Sequence, residues 1–247
     1  MHYRNFMFLI VAISLPGPFQ DKALSQPKVL PIIRHDYRSS IPKFQSLYDY
    51  TDKVVQLTIE RMGYKADFKI FIGNRSLRML VNPEYFASYP WIKTPEREAD
   101  FLYSRLPIHQ FRSVTVVHKL SALAEVKRAN LHKKTTCDTK GSVIVQSLNL
   151  PVSIYTSSTP ETCIKMLKKQ RIDFLFYPER MLSELDLEFK VVPDDIHLTI
   201  AGYFIVNRKF AGAKDLLDAF NKAYAELDKE GVLKVLARQY DGVHSTL

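Results

Sequence analysis

Apolar and polar positions alternate along the first half of the chain in blocks that predict strands and helices in turn. Residues 28–37 form an apolar run that ends in polar residues, which is typical of a buried parallel strand. Residues 46–64 place apolar side chains at helical spacing. The pattern then predicts a strand over 66–73, a short helix over 76–80 and a third strand over 85–92.

A second series of blocks begins near residue 113. It predicts strands over 113–119, 133–137, 152–156, 172–177 and 198–208, and helices over 142–148, 159–170, 213–231 and 232–240. Strands that alternate with helices at this spacing indicate an α/β fold with mainly parallel sheets flanked by helices. Two such units are bracketed by long strands near 113 and 203, and a pair of crossing strands suits a hinge between two lobes.

The amino terminus has the pattern of an export signal over residues 1–25. Arg4 precedes an apolar segment from Phe6 to Leu15, and small residues at Ala23 and Ser25 fit cleavage before Gln26. The segment has ten residues, whereas a membrane span needs about twenty. The alternative is a buried amphipathic helix. No Cys lies near the cleavage position to carry a lipid anchor, so we expect a soluble, periplasmic protein.

The composition restricts which kinds of binding site the chain can contain. The net charge is +9, but the cations are dispersed among Asp and Glu, which favours a solvated basic surface over nucleic-acid binding. Neither phosphate-loop glycines nor His and Cys at metal-ligand spacing occur, so we expect no cofactor and no metal. Cys137 and Cys163 are 26 residues apart. In an oxidising compartment they form either a disulfide contributing about 3 kcal/mol or two buried thiols.

Four stretches carry a resemblance to a known family: "YPWIKTPEREADFLYSRLP" (89–107), "LKKQRIDFLF", "YFIVNRKF" and "LLDAFNKAYAELDKEGVLKVLARQY". Together they make the chain after residue 26 similar to the family 3 extracellular solute-binding proteins, which include polar amino-acid receptors. The resemblance implies a two-lobed clamshell joined by two hinge strands. Lobe 1 would comprise 26–111 plus 204–247 and lobe 2 would comprise 112–203, with the ligand in the cleft between them.

The resemblance also implies where a ligand would bind. Arg97 matches the family's arginine that pairs with a ligand carboxylate, a pairing suited to a planar guanidinium. A surface ion pair with Glu96 is the alternative. Thr94 is a nearby hydroxyl donor and also suits a helix N-cap before Pro95.

Further candidates follow other predicted strands. Gly141 and Ser142 suit an anion seat at a helix start in lobe 2, with a simple cap as the alternative. Asp36 and Tyr37 follow the first strand, and Trp91 lies at the end of the third.

The chain also departs from the family pattern in the contacts to a ligand ammonium. Pro178 stands at the position of the family's ammonium-binding acid, with Glu179 adjacent as a substitute, and Ile92 stands where a hydroxyl is usual. The carboxylate half of the site is therefore better preserved than the ammonium half, which favours a small organic anion or a modified amino acid.

The resulting hypothesis is a monomeric, non-catalytic protein that binds a small polar, carboxylate-bearing solute for ABC-type transport. Its partner would be an inner-membrane permease. One alternative is a dehydratase-like enzyme on the same fold, for which Glu179 is the candidate acid. A second alternative is a ligand-sensing module for a membrane signalling partner, which uses the same clamshell.

Overall fold

A computed structural model describes residues 28–36, 39–72, 74–140 and 142–240. The predicted export signal at residues 1–25 lies outside these ranges, so it stays a prediction. Within these ranges, no helix combines the length and the apolar character that crossing a bilayer requires.

Ten strands and seven α-helices make up the described chain. The strands are β1 (Lys28–Asp36), β2 (Tyr64–Ile72), β3 (Ala87–Trp91), β4 (Phe101–Tyr103), β5 (His109–His118), β6 (Lys134–Thr139), β7 (Val152–Ser157), β8 (Leu175–Pro178), β9 (Phe189–Val192) and β10 (Thr199–Asn207). The helices are α1 (Pro42–Arg61), α2 (Asn74–Leu80), α3 (Pro95–Asp100), α4 (Ile144–Ser147), α5 (Pro160–Lys168), α6 (Ala213–Lys229) and α7 (Val232–Gln239), with short 3-10 helices at Arg128–Asn130 and Glu179–Glu184.

The strands pair in two sheets. In the larger sheet the order is β2-β1-β3-β10-β5-β8, with β4 beside β10 and β9 beside β5. Strand β1 is parallel to β2 and β3, whereas β10 runs antiparallel to β3, β4 and β5. Strands β6 and β7 form a separate parallel pair. The carboxyl ends of β1 and β3 therefore reach the same edge of the sheet, where open α/β sheets place their binding sites.

Strand β10 pairs with strands of both predicted lobes. Its first residues, 199–202, pair with β5, and its later residues pair with β3 and β4. The register shifts between Tyr203 and Ile205. The predicted lobe limits, near 111 and 203, fall within β5 and β10, and these limits stay a prediction. We call β5 and β10 the hinge strands.

Aromatic packing holds the terminal helices on lobe 1. Phe204 of β10 and Phe220 of α6 are both fully buried and stack with ring centroids 3.9 Å apart and nearly parallel planes. Such a pair contributes about 1 kcal/mol beyond its area burial. Gly231 separates α6 from α7 with a φ of 76°, a left-handed conformation that glycine adopts without strain. The carboxyl-terminal segment therefore completes the lobe that the amino-terminal strands begin.

Several helices and strands begin or end at residues other than those predicted. Helix α1 begins four residues earlier than predicted, at Pro42, because a proline fits the first turn of a helix. Helix α4 is shorter than predicted, and β8 starts at Leu175 rather than at residue 172. The β8 difference arises because Asp173 bonds to Thr135 of β6 through its side chain and its backbone N–H. Strands β4 and β9 were not predicted.

Candidate functional site

A cavity of about 160 Å³ lies between the lobes and opens to the surface. Its walls come from α1, β3 and α3 on the lobe 1 side, from β6, α4, α5 and β8 on the lobe 2 side, and from the hinge strands. We call it the interlobe cavity. A cavity shared by two lobes and their connections is a common location for a small-molecule site.

Arg97 lies in the lobe 1 wall because of how α3 begins. Thr94 has extended backbone angles and its hydroxyl accepts a hydrogen bond from the Arg97 backbone N–H, and Pro95 occupies the first helical turn. The Arg97 guanidinium donates to the Ile92 carbonyl at 2.9 Å and lies 5.0 Å from the centre of the Trp91 ring. A cation over an indole face is held in place by the ring quadrupole. The guanidinium is thus fixed against the cavity wall, half-buried, rather than extended into bulk water.

Trp91 is itself fixed by its neighbours. It ends the fully buried strand β3, and its indole N–H donates to the Ser88 hydroxyl at 2.8 Å. The ring of His35 packs against it with centroids 4.8 Å apart, and His35 in turn contacts the Ser76 hydroxyl at 3.1 Å. The aromatic support for Arg97 is therefore preorganised by β1, α2 and β3 together.

A tight turn after β6 forms the polar part of the lobe 2 wall. The Asp138 carboxylate accepts hydrogen bonds from the backbone N–H groups of Thr139 (2.8 Å) and Val145 (3.2 Å). Burial raises the pKa of Asp138, although hydrogen bonds from the Ser142 side chain, from these amides and from Ile144 oppose the shift. Asp138 therefore organises the turn that carries Ser142 to the cavity.

The rest of the lobe 2 wall is apolar. Cys137 of β6 and Cys163 of α5 form a disulfide, with Cα atoms 5.6 Å apart, and both line the cavity. Four apolar side chains continue this wall: Ile144, Ile164, Leu175 and Phe176. The disulfide thus joins two of the elements that shape the wall.

The hinge strands meet the cavity at His109 and Gly202. His109 is buried and contacts the Thr51 hydroxyl at 3.1 Å through Nδ1. Burial lowers the pKa of His109 to about 4, with a smaller contribution from the positive charge of Arg180, so the ring is neutral at pH 7. A Cβ at position 202 would lie 2.5 Å from His109 Nε2 and 2.8 Å from the Pro90 side chain. The hinge therefore needs glycine at position 202.

The two lobes touch across the mouth of the cavity. Phe44 of α1 packs edge-on against Tyr177 of β8, with centroids 6.2 Å apart. The Glu161 carboxylate of α5 accepts hydrogen bonds from the Ser39 hydroxyl at 2.8 Å and from the Ser40 backbone N–H at 2.6 Å. These contacts join the two lobes directly.

Three of the predicted site residues are brought together, since Arg97, Trp91 and Ser142 all line the interlobe cavity. Thr94 is buried and acts as the α3 cap, and Asp36 ends β1, but neither is part of the cavity lining. Tyr37 and Gly141 lie outside the described residues.

The prediction for Glu179 needs correction. Pro178 lines the cavity, but the chain enters a 3-10 helix at residue 179, and adjacent residues on an extended segment point to opposite sides. The Glu179 side chain is 47% exposed and lies 3.8 Å from Nε of Arg112, beside a different surface depression. Its carboxylate therefore does not supply an acid to the cavity.

Sequence reasoning also missed residues that the structure brings to the site. Asp138 and His109 were not predicted as site residues, nor were the apolar side chains Phe44 and Phe111. An acid directly after a strand and before a glycine-containing turn was the available signal for Asp138. Nothing in the local sequence distinguishes the others from core residues. Among the described residues, no cluster of three or more His, Cys, Asp or Glu side chains is placed to hold a metal ion.

No family model matches the sequence, and no curated protein matches it. Solved structures do match. The GluR0 ligand-binding core from Nostoc punctiforme, in complex with L-glutamate, has a TM-score of 0.68 at 16% identity over 86% of this chain and 99% of that chain. An arginine transport-system periplasmic binding protein from Legionella pneumophila has a TM-score of 0.66 at 18% identity over 86% and 100% of the two chains.

A third match is an amino acid ABC transporter substrate-binding protein from Streptococcus pneumoniae bound to L-arginine. It has a TM-score of 0.65 at 15% identity over 88% of this chain and 97% of that chain. Coverage is nearly complete on both sides in all three cases, so the likeness extends over both lobes. The chain therefore has the two-lobed α/β fold of the amino-acid ABC transporter substrate-binding proteins.

Proposed function

We propose that this protein is a family 3 solute-binding protein that holds a small carboxylate-bearing solute in the interlobe cavity for ABC-type transport. The location would be the periplasm, in keeping with the predicted export signal. The partner would be an inner-membrane permease, and the lobes would close around the solute.

The observation that carries this proposal is the position of Arg97. A guanidinium that is half-buried, stacked on Trp91 and aligned by a bond to the Ile92 carbonyl lies in the wall of the interlobe cavity. A carboxylate that enters this space meets a cation whose geometry allows two parallel hydrogen bonds. Partial exclusion of water strengthens the pair over its surface equivalent.

The solved structures support the transport role by their fold and by what they bind. Two of the three are transport proteins, and two contain an amino acid, which has a carboxylate. The dehydratase alternative depended on Glu179, which lies outside the cavity. No described feature favours that alternative.

A thermal-shift screen against small carboxylates and amino acids tests the proposal, because a ligand that binds only the folded state raises the melting temperature. Removing one partner of a buried charge pair costs about 2–5 kcal/mol, or at least about 30-fold in Kd. We therefore expect Arg97→Ala to abolish the shift produced by any hit while the apo protein stays folded.

Arg105→Ala is the matched control, because the Arg105 side chain is 77% exposed and is not part of the cavity lining. It should retain the full shift. Equal shifts in wild type and Arg97→Ala, or a screen without any carboxylate hit, would refute the proposal. Recovery of the hit unchanged after incubation separates binding from turnover.

A further inference from the structure

His109 brings a polar ring to the point where the hinge strands meet the interlobe cavity. The residue is 5% exposed, and it lines the cavity together with Gly202 and Pro90. The ring atoms nearest to a Cβ built at position 202 are Nε2, at 2.5 Å, and Cε1, at 2.8 Å. The Nε2 end of the ring therefore lies beside Gly202, where the lack of a side chain leaves space next to it.

The hydrogen bonds around Thr51 determine which nitrogen of the His109 ring carries the proton. The Thr51 hydroxyl donates its one proton to the Leu47 carbonyl at 2.7 Å. The same hydroxyl lies 3.1 Å from His109 Nδ1, so it accepts a hydrogen bond from Nδ1–H. Burial, with a smaller contribution from Arg180, lowers the pKa of His109 to about 4, so the neutral ring at pH 7 has a single N–H. Nε2 is therefore unprotonated and can only accept.

This acceptor has no hydrogen-bond partner in the described part of the chain, where the contact with Thr51 is the one hydrogen bond of the His109 side chain. A buried polar atom without a partner is uncommon in proteins, and leaving it unpaired is costly. An occupant of the cavity that donates a hydrogen bond to Nε2 would remove this cost. The geometry thus favours a ligand that carries a donor group.

The other polar side chains of the lobe 2 wall discriminate less between a donor and an acceptor on the ligand. The lining contains four hydroxyls, which can rotate to donate or to accept: those of Tyr48, Thr139, Ser142 and Tyr177. The Asp138 carboxylate also accepts, and the backbone N–H groups of Thr139 and Val145 hold it in its own turn. At the hinge, His109 Nε2 is the group that distinguishes a donor from an acceptor.

Resting on the proposed function, we propose that His109 Nε2 accepts a hydrogen bond from the solute, which is a small carboxylate that also carries a hydroxyl or amino group. Arg97 binds the carboxylate, and His109 selects for the donor. His109 is thereby a specificity-determining residue of the interlobe cavity.

A panel of four-carbon acids tests the requirement for a donor. Butanoate is the parent compound, and the 2-, 3- and 4-hydroxybutanoates and aminobutanoates add a donor at different distances from the carboxylate. The oxo acid that corresponds to the best hydroxy acid replaces the donor with an acceptor of similar size. Calorimetry gives each Kd. We expect the best donor-bearing acid to bind at least about fivefold more tightly than butanoate and the oxo acid, because an unpaired buried acceptor carries a penalty of this order.

Two variants of His109 separate ligand binding from hinge stability. In His109→Asn the amide stands near the position of Nδ1, so it can keep the bond to Thr51 but does not reach the position of Nε2. In His109→Gln the amide oxygen can take the position of Nε2. The preference for the donor-bearing acid over butanoate should fall to about one in His109→Asn and be retained in part in His109→Gln. Melting temperatures of the apo variants measure the structural effect, and the wild-type comparison does not depend on either variant folding.

The outcomes separate this inference from the proposed function. Equal or weaker binding of every donor-bearing acid, or a preference that His109→Asn leaves unchanged, would overturn the inference; loss of binding in Arg97→Ala would still support the proposed function. Absence of binding by the whole panel would also overturn the inference, while the broader carboxylate screen would decide the proposed function. A donor preference that is lost in His109→Asn but unaffected by Arg97→Ala would support the role of His109 and refute the proposed function.

Discussion

Each lobe contains a helix that begins with the sequence Thr-Pro-Glu, but the side chains at the two helix starts have different roles. Thr94-Pro95-Glu96 begins α3 in lobe 1, and Thr159-Pro160-Glu161 begins α5 in lobe 2. The capping residues have nearly identical backbone angles, φ −140° and ψ 153° against φ −142° and ψ 154°. Each hydroxyl accepts from the backbone N–H three residues later at 3.4 Å.

The side chains after these caps meet different surroundings. In lobe 1 the residue after the glutamate, Arg97, turns to the interlobe cavity, and Glu96 is exposed. In lobe 2 the glutamate itself, Glu161, reaches across to Ser39 and Ser40, whereas Thr162 is exposed. The cap fixes the start of a helix, and the neighbours in the fold decide which side chain acquires a role.

Removing the disulfide, which lies in the lobe 2 wall, should have the largest effect on stability of the changes considered for the two walls. A Cys137→Ser/Cys163→Ser double variant should lose about 3 kcal/mol of stability in the chain-entropy account. Denaturant unfolding of wild type, reduced wild type and variant measures the loss. Because Arg97 is in the opposite wall, carboxylate binding should persist with reduced affinity. Unchanged stability after reduction would contradict the prediction.

The hinge between the walls gives the next largest effect. Gly202→Ala would place a Cβ against His109 and Pro90, and overpacking of this kind costs about 1–3 kcal/mol. Both the melting temperature and ligand affinity should fall, since the strand joins the two lobes. Gly212→Ala is the control for glycine replacement away from the cavity, because a Cβ there meets no neighbouring atom. Its positive φ adds strain, but ligand affinity should be unaffected.

Removing either cap should cost a similar, smaller amount. Thr94→Ala and Thr159→Ala each lose a side-chain cap, worth about 0.5–1 kcal/mol. Only Thr94→Ala should also weaken carboxylate binding severalfold, because its helix positions Arg97. Equal affinities in the two variants would show that the Arg97 side chain is held in place independently of the Thr94 cap.

The two glutamates should give the smallest effects. Hydrogen bonds from its own backbone N–H and from Thr94 lower the pKa of exposed Glu96. Burial acts to raise the pKa of Glu161, but hydrogen bonds from its own N–H, Ser39 and Ser40 prevail and lower it. A lowered carboxyl pKa contributes stability above the ordinary value of 4.5, and this contribution is lost as pH falls through the folded-state pKa.

Glu161→Gln should therefore reduce stability and ligand affinity slightly at pH 7 and remove part of the acid sensitivity below pH 4.5. Glu96→Gln should affect stability alone, since Glu96 has no partner role across the lobes. Thermal melts from pH 7 to pH 3, with and without ligand, measure both. If Glu96→Gln lowered ligand affinity as much as Glu161→Gln, the two helix starts would not differ in their effect on binding.

Both helix starts were predictable from sequence, because a Thr-Pro pair followed by Glu is a local signal and its energetics are local. The parallel β1–β2 pairing and the long strand β10 also follow from periodicity, and the structure confirms them. Among the site residues, Arg97 was identified through the resemblance of the segment 89–107 to a known family, and Trp91 through its position at the end of a predicted strand.

The remaining site features depend on distant segments and had no local signal. The Glu161 contact joins residues more than a hundred positions apart, and the exposure of Glu179 depends on the 3-10 helix after Pro178. Asp138 illustrates the same limit, because its role is set by the amides of a turn that folds back on it. Sequence periodicity predicts which elements form and which faces they bury, whereas side-chain direction at a strand end depends on the three-dimensional fold.

The double pairing of β10 has a consequence for biosynthesis. Strand β3 receives its second neighbour from residues near 205, so the nascent chain cannot complete the amino-terminal sheet until more than four-fifths of the polypeptide has been translated. Until then, β3 exposes an unpaired edge and lacks the cover of α6. The amino-terminal strands therefore depend on the last part of the chain to complete their sheet.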